Sequence, residues 1–396
     1  MTGLGWKRNA AEVLERRRRF FGRRMLDGIL ATLPVSLEGA GRPAPQEPLA
    51  LRENPGLPAD AGAESEWRAF EQKWPGPAEN AERPFPSNAE VLDRLSVGEQ
   101  ARGRVEDDHL PVFYSILDAG ESMVGAMFGS PVRFIHRRRG AAFSKADALL
   151  ADYAGLSSLR FSLDNPWTRR FLDIQEHVRK HAAGRFGQHP CIAIDALNFA
   201  VEFREATAAY LDIYEHPDEL RQLMELGLDF NTRFQEAQME RCGGTEGGSY
   251  AMIGEWVPFS KAVAMGVDAY LICSTQTYAE FGFEYQKRLI GHFGHGLMHF
   301  HCHRTDLAAE VARLPGLELF QFGGDTRDPV PTADRVPEMR RAVGDIPLQV
   351  FVDLKVFVER LARRRLEPNV WYIADGPGLA VDEANRLMDK VRAYRA

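Results

Sequence analysis

The sequence predicts an α/β chain folded as a (β/α)8 TIM barrel preceded by an N-terminal helical and extended arm. Short apolar, β-rich runs alternate with longer amphipathic helical runs over most of the chain. Repeated strand-then-helix order implies parallel strands joined by right-handed crossovers. Roughly eight such units fit a barrel better than a doubly wound sheet, and no glycine-rich dinucleotide fingerprint follows the early strands.

Residues 1–88 read as the arm. A basic helix carrying Arg16 to Arg19 leads into the apolar stretch Ile29 to Val35, and a segment rich in Pro, Gly, Ala and Glu follows, as in Arg42-Pro43-Ala44-Pro45. The arginines before Phe20-Phe21 imitate a twin-arginine export signal. Arg23, Arg24 and Asp27 interrupt the apolar core such a signal needs, so an amphipathic helix with a charged outer face is expected. Residues 89–396 read as the barrel. Its expected strands are Pro111 to Leu117, Val132 to Ile135, Cys191 to Ile194, Tyr250 to Ile253, Tyr270 to Ile272, Leu297 to His301, Leu317 to Phe320, Leu348 to Val352 and Val370 to Ile373. Helical patterns follow at Pro217 to Cys242, Thr275 to Phe293, Thr305 to Arg313, Thr332 to Val343, Lys355 to Arg365 and Val381 to Tyr394.

The 396 residues are 44% hydrophobic and 27% charged, the balance of a chain that buries a core. A net charge of −7 offers no basic field, which argues against nucleic acid as a partner. No apolar run is long enough to span a bilayer, so no membrane partner is expected. Cys191, Cys242, Cys273 and Cys302 lack zinc-ribbon or redox spacing; so few cysteines point to a reducing, cytoplasmic setting.

Active sites of such barrels lie at the C-terminal ends of the strands. Asp118, Asp195, Glu255, His299, His301, Cys302, Asp353 and Asp375 all fall at or just after an expected strand end. The most informative segment is His299-Phe300-His301-Cys302-His303. Side chains alternate faces along a strand, so His299 and His301 point one way and Phe300 and Cys302 the other. Two imidazoles at a strand end suit zinc or another divalent metal, although packed core histidines are the competing reading. A third ligand is sought among Asp375, Glu255 and Cys302. Glu255, Asp268 and Asp195 are candidate catalytic carboxylates, against the alternatives of a rim salt bridge for Glu255 and a turn residue for Asp268. Arg137 and Arg138 are candidates for holding an anionic substrate, although such charge runs are usually solvated, and Asp118 is a candidate substrate-binding carboxylate for a protonated ring.

These residues carry a family resemblance. Val267-Asp268-Ala269-Tyr270-Leu271-Ile272-Cys273-Ser274, then Tyr278-Ala279-Glu280-Phe281 and Glu284-Tyr285, resemble the Asp-x-x-x-x-Ile-Ser-Pro, Phe-x-Glu-Phe and Pro-Tyr succession of the uroporphyrinogen decarboxylase superfamily, with Thr275 in place of proline. His299-Phe300-His301-Cys302 falls where the corrinoid-dependent methyltransferase branch has His-x-Cys-Gly. Ile213 to Leu220 resembles the family's Asp-x-Pro-Glu-x-Val helix start. Tyr153-Ala154-Gly155-Leu156 with Asp164-Asn165-Pro166-Trp167 resembles an uncharacterised subgroup. The resemblance covers most of residues 110–390 and implies a TIM barrel and a homodimer.

The sequence departs from both well-known branches. The decarboxylase's Arg-Gln-Ala-Gly-Arg-Tyr signature is absent. The methyltransferase's zinc ligands His, Cys and a later Cys become His299, His301 and Gly376-Pro377-Gly378, with Asp375 adjacent. No Asp-x-His-x-x-Gly cobalamin motif occurs, so a corrinoid would arrive on a separate protein. The first expectation is therefore a zinc-dependent methyltransferase acting on a small-molecule substrate. A decarboxylase-like carboxy-lyase for a carboxylated tetrapyrrole or small acid is the second, and a non-catalytic small-molecule-binding barrel the third.

Overall fold

A computed structural model describes residues 4–25, 27–36, 73–74, 99–114, 124–135, 143–182, 184–301, 304–323 and 330–396. Eight short strands run through it in parallel pairings: β1 (Leu30–Thr32), β2 (Val112–Tyr114), β3 (Gly187–His189), β4 (Val263–Met265), β5 (Gly296–His301), β6 (Leu317–Gly323), β7 (Leu348–Asp353) and β8 (Val370–Asp375). Six of them form one parallel sheet in the order β1-β8-β7-β6-β5-β4. β2 pairs with β3 in a second parallel ladder, and a parallel bridge from Ala193 to Met265 touches the edge of the main sheet. At the other edge the Asp108 amide donates to the Ala31 carbonyl at 2.9 Å. The architecture is barrel-like α/β.

The alternation of side chains along β5 to β8 sorts the core. Met298, Phe300, Phe320, Phe322, Leu348, Val350, Val370 and Tyr372 belong to the large cluster shared with the surrounding helices. Leu30, Leu297, Leu319 and Trp371 point the opposite way, into a smaller cluster with Phe20, Phe21 and Met25 of the N-terminal segment. Among the described residues no helix is long and apolar enough to cross a membrane.

The N-terminal helix, α1 (Ala10–Phe21), is amphipathic with a charged outer face, as expected, but one of its arginines lies on the inner face. It buries Val13, Leu14, Phe20, Phe21 and also Arg17. The Arg17 guanidinium lies 4.1 Å from the centre of the Trp371 ring. It donates to the carbonyls of Asp108, Gly254 and Trp256 and to the Glu255 carboxylate. Arg16 pairs with Asp108 at 2.7 Å, and Lys7 with Asp107 at 2.9 Å. The same two aspartates accept the amides of Ala31 and Leu33, so Asp107 and Asp108 tie α1 to β1. Residues 30–32, within the expected arm, are thus a strand of the central sheet.

Other expected elements differ in kind. Gly248–Ala251 belongs to an antiparallel hairpin with Gly244–Thr245 and Glu255–Val257. Gly247 (φ 77°) and Gly254 (φ 78°) make the turns that fold it back. Val132–Ile135 likewise pairs antiparallel, with Lys73–Trp74 and Phe143–Ala146. The main-sheet strand in this region is β4, and Asp268–Ile272 forms a 3-10 turn after it. That turn is pinned by Tyr270, whose hydroxyl donates to the Phe281 carbonyl, while Ile272 is left 78% exposed. The helical run Thr275 to Phe293 breaks at Gly282 into two helices, Thr275–Phe281 and Phe283–Phe293. A Cβ at Gly282 would meet the rings of Tyr278 and Tyr270 at 2.5 and 2.9 Å, so close packing requires the glycine.

Candidate functional site

β5 delivers its two histidines from one face. Phe300 between them is fully buried in the outer core, whereas His299 and His301 remain partly exposed, with ring centroids 5.1 Å apart at 81°. Asp268 reaches the same place from the turn after the neighbouring strand β4, and its Oδ1 lies 3.6 Å from His301 Nε2. One donor atom from each of Asp268, His299 and His301 falls within 4.8 Å of the others. Asp375 ends β8, three strands away from β5. It stands outside this cluster, and its Oδ1 accepts the Gly376 amide at 2.8 Å. Cys302, Asp118, Arg137 and Arg138 lie outside the described residues.

His299 is held from behind. Its Nδ1 lies 2.7 Å from Gln321 Oε1 on β6, and Gln321 Nε2 donates to Gln349 Oε1 on β7. The three residues occupy one rung across the sheet, His299 opposite Gln321 and Gln321 opposite Gln349. Gly323, opposite His301, leaves room for both rings. A Cβ there would stand 3.2 Å from His299 Cε1 and 3.9 Å from His301 Cε1.

His299 and its glutamine partners border a cavity of about 1060 Å³, large by the standards of small-molecule sites. His299, Asp268, Gln321 and Gln349 line one part of it, with Ile373 and Phe351 beside them. Asp195 lines it too. This carboxylate caps the helix Ala196–Arg204 by accepting from the backbone and side-chain nitrogens of Asn198, both at 2.8 Å. Burial, opposed by the Asn198 amide and reinforced by the charge of Asp268, pushes its carboxyl up to about 7.

Glu255 sits in another wall of the cavity, buried, on a backbone with φ 47° just after Gly254. Its carboxylate takes His109 Nδ1 at 2.6 Å, Arg17 at 2.5 Å and the Leu110 amide at 3.0 Å. The other His109 nitrogen meets Glu99 at 2.8 Å. Burial alone would lower the His109 pKa, but Glu255 and Glu99 on its two sides raise it to about 9. Burial pushes the Glu255 carboxyl up; His109 and Arg17 outweigh it and hold the group down at about 2. Burial raises the Cys191 thiol to about 11, in keeping with a core cysteine rather than a nucleophile.

Sequence reasoning missed Gln321, Gln349, Gly323, His109 and Glu99. The two glutamines had a readable signal: each is the one amide in a strand made mostly of apolar residues, with the period that puts it on the inner face. His109 and Glu99 had none, because the group that links their pair to the cavity wall, Glu255, is 146 residues from His109 in sequence.

The fold and cavity define an α/β protein whose parallel strands carry a carboxylate-imidazole cluster into a ligand-sized space. No family model matches the chain, and no curated protein matches it in sequence. Among solved structures it is similar to a methyltransferase from Methanosarcina mazei, at 11% identity over 78% of this chain and 87% of that one, with a TM-score of 0.49.

Proposed function

We propose that this chain is a metal-dependent enzyme in which Asp268, His299 and His301 hold one divalent ion and the adjoining cavity binds a small-molecule methyl acceptor. The convergence of those three donors within 4.8 Å, beside the C-terminal end of β5 and with Asp268 and His299 lining the cavity, carries the reading. On this view the six-stranded sheet, the β2–β3 ladder and the Ala193–Met265 bridge are parts of one closed eight-stranded barrel with its site at the usual end.

The residues fit such an ion. Two imidazoles and one carboxylate are a donor set that zinc and its neighbours accept, with a position left for substrate. Gly323 supplies the space the two rings need. When bound, the ion would lower the pKa of a thiol or water ligand and so provide a nucleophile at neutral pH. Asp195, with its carboxyl near 7, is the group in the cavity able to take up or return a proton there. Glu255, His109 and Glu99 form a fixed polar wall that orients the acceptor. The methyl group would come from a corrinoid carried by a separate protein, a reading supported by the sequence resemblance around His299.

A second reading, attack by activated water, is favoured by the donor set itself, because Asp268 is a harder ligand than the thiolates of zinc methyltransferases. The test is loss of the methyl group from methylcobalamin, followed by absorbance, with the zinc-loaded protein and a small thiol. Methyl transfer predicts thiol-dependent turnover that His301→Ala abolishes. No turnover with any thiol would refute methyl transfer.

A further inference from the structure

We propose that Gln321 and Gln349 are positioning residues that fix His299 in its Nδ1–H tautomer, so that Nε2 is the nitrogen offered to the metal. This rests on the metal-site reading above, and its geometry is independent of whether the reaction is methyl transfer or hydrolysis.

The direction of the relay is set by the atoms that meet at the Gln321–Gln349 contact. Gln349 is 1% exposed, and a carboxamide so buried has to be hydrogen-bonded. Its Oε1 receives Gln321 Nε2, and an amide nitrogen can only donate. The Gln321 carboxamide is thereby turned with its Oε1 toward His299 Nδ1, 2.7 Å away. A carbonyl oxygen can only accept, so His299 Nδ1 carries the proton and the lone pair of the neutral ring sits on Nε2. The rung geometry makes this rigid, because all three residues come from adjacent strands in register and none of the three side chains is on a loop. Metal-ligating histidines are generally held this way by an acceptor on the second nitrogen, and losing that acceptor typically weakens metal binding 10–100-fold. Here the acceptor is an amide rather than a carboxylate, so the relay orients the ring without adding negative charge to the site.

Two measurements on the full chain test this. The first is the long-range proton–nitrogen correlation spectrum of the metal-free protein labelled with 15N-histidine, with the His299 signals identified by their absence in His299→Ala. The expected result is the Nδ1–H tautomer, with the Nε2 resonance moving on addition of zinc chloride. An Nε2–H tautomer in the unaltered protein would overturn the proposal. The second is zinc affinity by calorimetry. Gln321→Leu removes the acceptor and should bind zinc about 10–100-fold more weakly, whereas Gln321→Glu keeps an acceptor and should bind at least as tightly as the unaltered protein. A folded Gln321→Leu variant with unchanged affinity would overturn the relay. Unaltered protein that shows the Nδ1–H tautomer but takes up no zinc would instead refute the metal reading and uphold the tautomer assignment.

Discussion

Replacing Glu255 with glutamine tests how the N-terminal helix and the cavity wall are held together. In the native protein one carboxylate serves two buried cations: Arg17 is wholly buried, and His109 is 6% exposed. Glu255→Gln keeps the shape but supplies one acceptor and one donor where both neighbours donate. Removing one partner of a buried ion pair costs about 3–5 kcal/mol, because the remaining charge stays buried without compensation. A pH signature comes with it. Raising the His109 pKa from its ordinary 6.5 to about 9 corresponds to about 3 kcal/mol of stability. That contribution is fully present below pH 6.5 and is lost as pH rises through 9. The variant loses the larger of the two carboxylates responsible, so its deficit should be greatest near pH 6 and narrow toward about pH 9.5. It should not vanish, because the buried Arg17 guanidinium also loses its carboxylate partner. Urea unfolding followed by circular dichroism across that range measures both effects. A midpoint equal to the native one, or a deficit that grows with pH, would refute the account of this network.

Two further substitutions probe the site. Gly323→Ala brings a Cβ to 3.2 Å from His299 Cε1, inside the roughly 3.5–4.0 Å at which carbon atoms rest. The ring must move by a few tenths of an ångström against a metal-bond tolerance of about 0.2 Å. Zinc affinity by calorimetry should therefore fall about tenfold, roughly 1.4 kcal/mol, with little change in unfolding midpoint; unchanged affinity would argue that the rings do not share an ion. Asp195→Asn keeps a capping oxygen while removing an ionisation that the fold disfavours. A carboxyl raised from 3.8 to about 7 contributes most to stability at low pH, and the contribution declines as pH rises through 7. In metal-free protein the variant should melt above the native chain at about pH 8, with the gap closing as pH falls; a variant that melts lower at pH 8 would contradict the assignment.

How much of this was legible in the sequence depends on range. β5, β6, β7 and β8 were readable because each is a run of six or seven residues with apolar side chains toward the helices. The pairing of His299 with His301 followed from the same period of two. β4 escaped because three residues, Val263–Met265, are too few to show a period, and the apolar run just after it imitated a strand. The third member of the cluster was sought among Asp375, Glu255 and Cys302, whereas the carboxylate found beside the two histidines is that of Asp268. Sequence alone could not say that the turn after β4 lies beside the end of β5 while the end of β8 lies three strands away. Arg17 was hidden by its own neighbours. A run of four arginines reads as a solvated face, and its burial depends on carbonyls near residue 255 that only the folded chain brings within reach.

Metal stoichiometry tests the central claim most directly. After zinc loading and removal of excess, elemental analysis should find about one ion per chain in the native protein and much less than one in His299→Ala, His301→Ala and Asp268→Ala. Asp375→Ala should retain the full complement. A native protein that retains no metal, or a complement that survives loss of His299 and His301, would contradict the account.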